Sequence, residues 1–490
     1  MLSLQLPPGM HRNGTDLEST GRWIDGSLVR WYDGVMQPVG GWRRRVTSTV
    51  ESAPRGAIAW QDNSGDRWVA FGTYEKLFVL SAAGVLSDIT PAGFVDGSLD
   101  ASVNTGFGGS FFGTGHFGDP RPDTGNYGEA TTWSMATWGE YLIACSNADG
   151  KIYEWQLDVA TPAAALSTAP TNCAAAIVTA ERFVMALGAG ADPRKVQWCD
   201  REDNTTWTPA STNEAGSQVL ETPGQIMGAV QVRGQTLILT DNDAFVANYV
   251  GPPFVYGFER VGSSCGTVSR KAVADVDGGA VWMGQNGFFM YRGGSVETLP
   301  CAVSDYVFND ISEAQQSKVH AVPNAQFGEI WWFYPSGSSN DCDKYVVLNY
   351  RTGEWWTGNL SRTTGVDRGV FRTPIWTDTV GTIYDHETGA NYDGAMPFAE
   401  SGPFMLGDGE TSLTMTSLLP DEKTRGQVTA TFKARGYANS DERTFGPYTM
   451  DGPTDVRITA RQIRIRIDGA ELADWRWGVP RARVAMRGLR

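Results

Sequence analysis

Four histidines, His11, His116, His320 and His386, are all the imidazoles of this chain, and none lies four residues from another. A zinc or histidine-based catalytic centre needs ligands at set spacings, and no HExxH occurs. Each histidine therefore reads as a loop or surface residue. The letters 'GSSCG' at 262–266 spell G-x-S-x-G. That motif raises a serine nucleophile only on a strand-to-helix elbow, and the 'TVSRKAVADV' that follows has strand composition. 'GTGHFG' at 113–118 spells G-x-G-x-x-G, but 'DPRPDTG' stands where a helix N-terminus would have to cradle phosphate. No P-loop is present. Cys145, Cys173, Cys199, Cys265, Cys301 and Cys342 lie far apart without a CxxC pair. They read as free, mostly buried thiols, with neither metal-knuckle spacing nor a secreted disulfide framework. Carboxylates gather in 'QDNSGD', 'CDREDN', 'TDND' and 'SNDCD', where Asp and Asn serve turns by bonding the local backbone. One such turn could hold Ca²⁺, but none has EF-hand spacing. The residues thus predict no catalytic site, no cofactor and no resident metal.

The elements around these residues are strands. 'GEYLIACSNADGKIYEWQ', 'ERFVMALGAGADPRKVQWCD', 'GGAVWMGQNGFFMYRGGSVETL' and 'GEIWWFYPSGSSNDCDKYVVLNYRTGEWW' each run apolar strand, polar turn, second strand. Such units recur about every 50 residues, which is propeller-blade spacing. The predicted fold class is all-β: a β-propeller of seven blades, with six or eight as alternatives, followed by a C-terminal β-sandwich-like domain. Residues 1–26 read as an N-terminal arm, 27–398 as the propeller with a Gly/aromatic loop insertion at 104–128, and 399–490 as the C-terminal domain. Asp33-Gly34 and Ser64-Gly65 mark hairpin turns. One helix is predicted in 'VSDYVFNDISEAQQSKV', capped by Ser304, with Val307, Phe308 and Ile311 on one face. Trp133, Trp138, Trp155, Trp198, Trp282, Trp331 and Trp332 fall in or beside strands. Blade-to-blade packing is the commoner use of such rings, and an exposed sugar-binding platform the rarer.

Charge is divided along the chain. Residues 51–420 carry 42 acidic against 20 basic side chains, whereas 421–490 carry 14 basic against nine acidic. An acidic body grips DNA poorly, because that affinity comes from Lys and Arg neutralising phosphate. It can still face DNA without holding it. The N-terminus lacks the pattern of a signal peptide, and no stretch reaches the ~18 apolar residues of a membrane helix. The C-terminal segments 'QVTATFKARGYA' and 'RQIRIRIDG' alternate strictly, as strands with one wet face do. Arg457, Arg461, Arg464, Arg466, Arg481 and Arg483 make the wet side basic. They read as a solvated face or as an oligomer interface meeting acidic surface on a neighbouring copy, since Arg suits bidentate carboxylate contacts.

The opening 'GRWIDGSLVRWYDGVMQPVGGW' resembles that of the tail hub, or nozzle, proteins of short-tailed bacteriophages, the packaged-DNA stabilisation family. 'VQWCDREDNTTWTP' with 'GQIMGAVQVRGQTLILTDNDAFVANYVG' resembles that family's central blades, and 'DWRWGVPRARVAMRGLR' its closing strand. So do 'GGAVWMGQNGFFMYRGGSVETLPCAVSDYVFNDI' and 'FGEIWWFYPSGSSNDCDKYVVLNYRTGEWW'. The resemblance spans most of residues 20–490. It implies a non-enzymatic virion protein, assembled in the host cytoplasm. Six copies would form a ring at the distal tail beneath the head-completion (portal) adaptor. The homohexamer would extend the DNA channel, pass dsDNA without reading its sequence, help retain packaged DNA and dock the tail needle or fibres. Two other readings remain open at this point. A carbohydrate-binding adsorption propeller predicts exposed Trp or Tyr beside Asp or Asn. A propeller glycosidase predicts Arg and carboxylates converging on a central pocket.

Overall fold

In a computed structural model, residues 1–103, 127–405, 411–469 and 473–487 are described, and they are almost entirely strand and turn. Seven four-stranded antiparallel sheets form at 57–88, 133–165, 175–219, 226–262, 273–299, 320–359 and 364–386, the last completed by Trp42–Thr49. The innermost strand of each sheet touches that of the next, and the seventh returns to the first. That closed circuit is a seven-bladed β-propeller.

Aromatic residues join the blades. Trp133 of blade 2 is buried and donates its indole N–H to the Thr73 carbonyl of blade 1 at 2.7 Å. Trp332 of blade 6 does the same to the Ala272 carbonyl ahead of blade 5 at 2.8 Å. Trp282 reaches the Cys265 carbonyl at 2.7 Å. Burying an indole costs less when its N–H finds an acceptor, so each of these three rings both packs and ties neighbouring segments together. All seven tryptophans named from the sequence are buried. Where blade 2 approaches the segment leading into blade 3, Gly150 has φ +64 and a Cβ there would lie 2.5 Å from the Asn172 Cα.

The ring is closed by a distant part of the chain. Trp42–Thr49 pairs with Thr382–His386, His386 opposite Trp42 and Thr382 opposite Thr49. Asp385 fastens this seam with Arg45 at 2.5 Å and Arg43 at 3.4 Å.

The C-terminal unit has two antiparallel sheets. The five-stranded sheet runs Trp23–Ser27, Phe398–Ser401, Gln462–Gly469, Val428–Arg435, Arg443–Thr449. The four-stranded sheet runs Leu2–Ser3, Arg481–Arg487, Ser412–Leu419, Thr454–Ala460. Ile463, Ile465 and Ile467 share one core with Leu413, Met415, Val456 and Ile458, as the period-two pattern requires.

Three expectations are corrected. Residues 1–26 are not a free arm: Leu2 pairs with Ala482, and Trp23 with Ser401. These strands are short and their partners lie hundreds of residues away, so no local period marks them. Val29–Tyr32 and Val35–Pro38 form a separate hairpin rather than part of the first blade. Its Asp33-Gly34 turn has φ 50 and 78, the left-handed pair of a type I′ turn. The helix covers only Ser304–Phe308, and Val303, not Ser304, is its cap. The Ser304 hydroxyl instead donates to the Cys301 carbonyl at 3.2 Å.

A buried ionic cluster pins the hairpin to the propeller. Arg30, 1 % exposed, sits 2.8 Å from Glu329 of blade 6 and 2.9 Å from Glu387 beyond blade 7. Its guanidinium also covers the Phe327 ring at 3.7 Å. One cation cannot balance two buried carboxylates, so burial pushes Glu329 up to about 7, with Arg30 opposing that rise and Glu387 adding to it.

Candidate functional site: an arginine face on the C-terminal unit

The six sequence-selected arginines separate into groups. Arg464 and Arg466 lie on Gln462–Gly469 and are neutralised inside the chain. Arg464 meets Glu400 at 2.6 Å and Glu442 at 3.1 Å. Arg466 meets Asp468 at 2.8 Å and lies 3.8 Å over the Phe398 ring. Glu400 also receives Lys433 at 2.8 Å. Arg461, partly buried in the turn before that strand, is engaged as well.

Arg457, Arg481 and Arg483 differ. All three are exposed on the four-stranded sheet. Arg481 and Arg483 lie on the strand beside Ser412–Leu419, opposite Leu419 and Ser417. Arg457 lies on the strand flanking the other side of Ser412–Leu419. The strands alternate, so buried Val456, Ile458 and Ala482 face the core while the arginines face solvent. Among the described residues, none of the three has an ion-pair partner. Exposed Thr416, Thr459 and Asp455 complete the face, leaving a cationic patch on a chain of net charge −15. Unpaired planar guanidinium groups of this kind suit carboxylates on another surface.

The elements that could have carried catalysis are arranged otherwise. His320 and His386 are buried, which corrects the expectation of loop or surface positions. His320 stacks on Phe333 at 5.2 Å, and His386 lies between Trp42 at 5.3 Å and Trp376 at 4.1 Å. For His320, the flanking Val319 and Ala321 were the available signal; His386 stands between Asp385 and Glu387 and offered none. Burial pulls His320 down to about 4, and burial with the nearby Arg362 holds His386 well below the usual range. Cys342 Sγ lies 4.0 Å from His320 Nδ1, but burial pushes this thiol up to about 12. Both groups are held neutral, the reverse of an activated thiolate pair. His11 approaches Ser19 Oγ at 3.3 Å. His116 and the 113–118 motif lie outside the described residues. In 'GSSCG', Gly262 ends a blade 4 strand, and the next regular element is the strand Val273–Val276. All six cysteines are free, five of them buried and Cys301 partly so.

Charged residues do converge at one axial end of the propeller. Arg55 meets Asp341 at 2.8 Å, Lys318 pairs with Asp100 and Asp341, and Arg270 pairs with Glu129. Gln315 exchanges two hydrogen bonds of 3.0 Å with the backbone of Ala101. These contacts tie the connection between blades 1 and 2 to the segments leading into blades 5 and 6. Ser102–Val103 pairs with Tyr127–Gly128, on either side of residues 104–126, which lie outside the described part. Asp100, Asp341 and Glu129 each face a cation.

No family model matches the chain, and no curated protein matches it. Among solved structures it is similar to virginiamycin B lyase from Staphylococcus aureus, at 8% identity and TM-score 0.42, over 70% of this chain and 98% of that one. It is also similar to a streptogramin B lyase, at 9% identity and TM-score 0.42, over 70% and 96%. A third is YCF48 bound to a D1 peptide, at 9% identity and TM-score 0.38, over 73% and 99%. At such identities the likeness concerns the fold alone.

Proposed function

We propose that this chain is a structural tail-hub, or nozzle, component of a phage virion, acting as a multi-copy ring and not as an enzyme. The observation that supports this most is the unpaired Arg457, Arg481 and Arg483 face on a chain whose 51–420 section is strongly acidic. In the proposed ring each such face docks on the acidic propeller of the next copy. A permanent contact of this kind buries roughly 2,000 Å² or more and is apolar at its centre. Six copies close a homohexamer that continues the DNA channel below the head-completion adaptor and receives the tail needle or fibres. Acidic channel walls let dsDNA slide past, because like charge prevents counterion-releasing contacts. The closed propeller supplies rigidity, since every blade packs against a neighbour on both sides.

Sedimentation velocity of the purified chain tests this. The 53.2 kDa protein should run as a hexamer that weakens as salt screens the arginine contacts. A monomer at every salt and protein concentration would refute the proposal.

A further inference from the structure

Blade 4 carries an overhanging hairpin. Its outer strands, Ala244–Gly251 and Val255–Gly262, run eight residues each, against five in blade 5 and six in blade 6. Pairing with the neighbouring strand Gln235–Thr240 ends at Ala247, opposite Thr236. The end of the hairpin therefore stands clear of its blade. That tip is apolar, with Val250, Pro252, Pro253 and Phe254 all exposed. Phe254, at 78 %, is the most exposed large apolar side chain among the described residues. Adjacent exposed apolar residues mark a contact surface in a way that scattered single ones do not.

The base of the same tip is acidic. Tyr249 and Tyr256 stand opposite each other in the hairpin. The Tyr249 hydroxyl donates to Glu214 of blade 3 at 3.0 Å, and the Tyr256 hydroxyl to Glu181 of blade 3 at 3.1 Å. A neutral donor satisfies a carboxylate oxygen but leaves its charge in place. Among the described residues neither Glu181 nor Glu214 has an ion-pair partner. Arg182 is turned to Glu202 at 3.9 Å, and Arg201 lies over the Tyr249 ring at 5.9 Å.

Resting on the ring reading above, we propose that the tip of blade 4 receives the arginine face of the next copy. Phe254 takes a guanidinium of Arg457, Arg481 or Arg483 across its ring, while Glu181 and Glu214 take the others by their forks. The two surfaces match in kind, since Arg both stacks on aromatic faces and bonds carboxylate with two parallel N–H groups. The tip also supplies an apolar centre, which a permanent interface needs and which arginines alone do not provide.

The test uses the full chain. A photoreactive benzophenone side chain placed at position 254, irradiated in a mixture of isotope-labelled and unlabelled copies, should cross-link between copies to peptides from 412–419, 454–460 or 481–487. In sedimentation, Phe254→Ser and the double variant Glu181→Arg/Glu214→Arg should each raise the protein concentration needed for assembly by about tenfold or more. Adding Arg481→Glu and Arg483→Glu to the double variant should restore assembly, because the opposed charges are exchanged in place. Melting curves verify that each variant folds. Assembly unchanged in both Phe254→Ser and the double variant, or cross-links that fall elsewhere, would overturn the proposal while the ring stands. A wild-type chain that stays monomeric would overturn the ring itself, and this docking surface with it.

Discussion

The propeller and the C-terminal unit solve the same burial problem with different residues. The propeller packs blade on blade with tryptophan, and the indole N–H groups of Trp133, Trp282 and Trp332 reach carbonyls of the preceding blade or connection. The C-terminal sheets pack face on face with Ile, Val, Ala and Met, whose alternation leaves one side wet. Ring stacking sets direction as well as contact, which a radial array needs. Aliphatic alternation suffices where two sheets meet once. Both solutions are finished by the same stretch of chain. Residues 42–49 close blade 7, 23–27 edge the five-stranded sheet, and 2–3 edge the four-stranded sheet. The two units are therefore chemically distinct but not separately complete.

The strongest way to break this comparison is to remove residues 1–49. The deletion opens blade 7, strips both C-terminal sheets and leaves Glu329 and Glu387 without Arg30. Loss of the cooperative thermal transition is expected by circular dichroism, whereas a sharp native-like melt would show that the units are self-sufficient. Next comes a pair of core truncations. Trp331→Ala in the propeller should cost about 3–5 kcal/mol and Ile465→Ala in the C-terminal unit about 2–5 kcal/mol. Denaturant titration should show each moving one shared transition. Two separated transitions, only one of them displaced, would mean the units melt alone.

A smaller effect concerns pH. Burial lowers His320 from 6.5 to about 4 and His386 in the same direction. The unfolded chain accepts these protons and the folded chain resists them. Their stabilising contribution is full above pH 6.5 and is lost as the pH falls toward 4. Glu329 has the opposite sign, raised from 4.5 to about 7, so its contribution is present below pH 4.5 and declines as the pH rises through 7. Melting temperatures between pH 4 and 8 should therefore show a flatter acid limb in His320→Gln and a flatter neutral limb in Glu329→Gln. An unchanged profile in both variants would contradict these assignments. The least effect on stability belongs to the surface. Reversing Arg457, Arg481 and Arg483 to Glu together should shift unfolding by only about 0.5 kcal/mol per site. The same variant should abolish the ring in sedimentation.

What the sequence disclosed follows the range of the interactions. Asp33-Gly34 announced its hairpin, because the left-handed turn depends on two adjacent residues. Ile463, Ile465 and Ile467 announced a half-buried strand through their own spacing. Trp42–Thr49 announced nothing about blade 7, since 'WRRRVTST' finds its partner more than 330 residues away. The same distance hid the burial of His386 between Trp42 and Trp376. Among the arginines, composition could mark a basic face, but not that Glu400 would claim Arg464 and leave Arg457, Arg481 and Arg483 unpaired.

Negative-stain electron microscopy of the purified full chain at moderate salt tests the proposed assembly. Closed rings of six subunits are expected, each arginine-bearing sheet seated on the acidic propeller of its neighbour. Solitary propellers at every protein concentration, or rings that leave Arg457, Arg481 and Arg483 facing solvent, would contradict it.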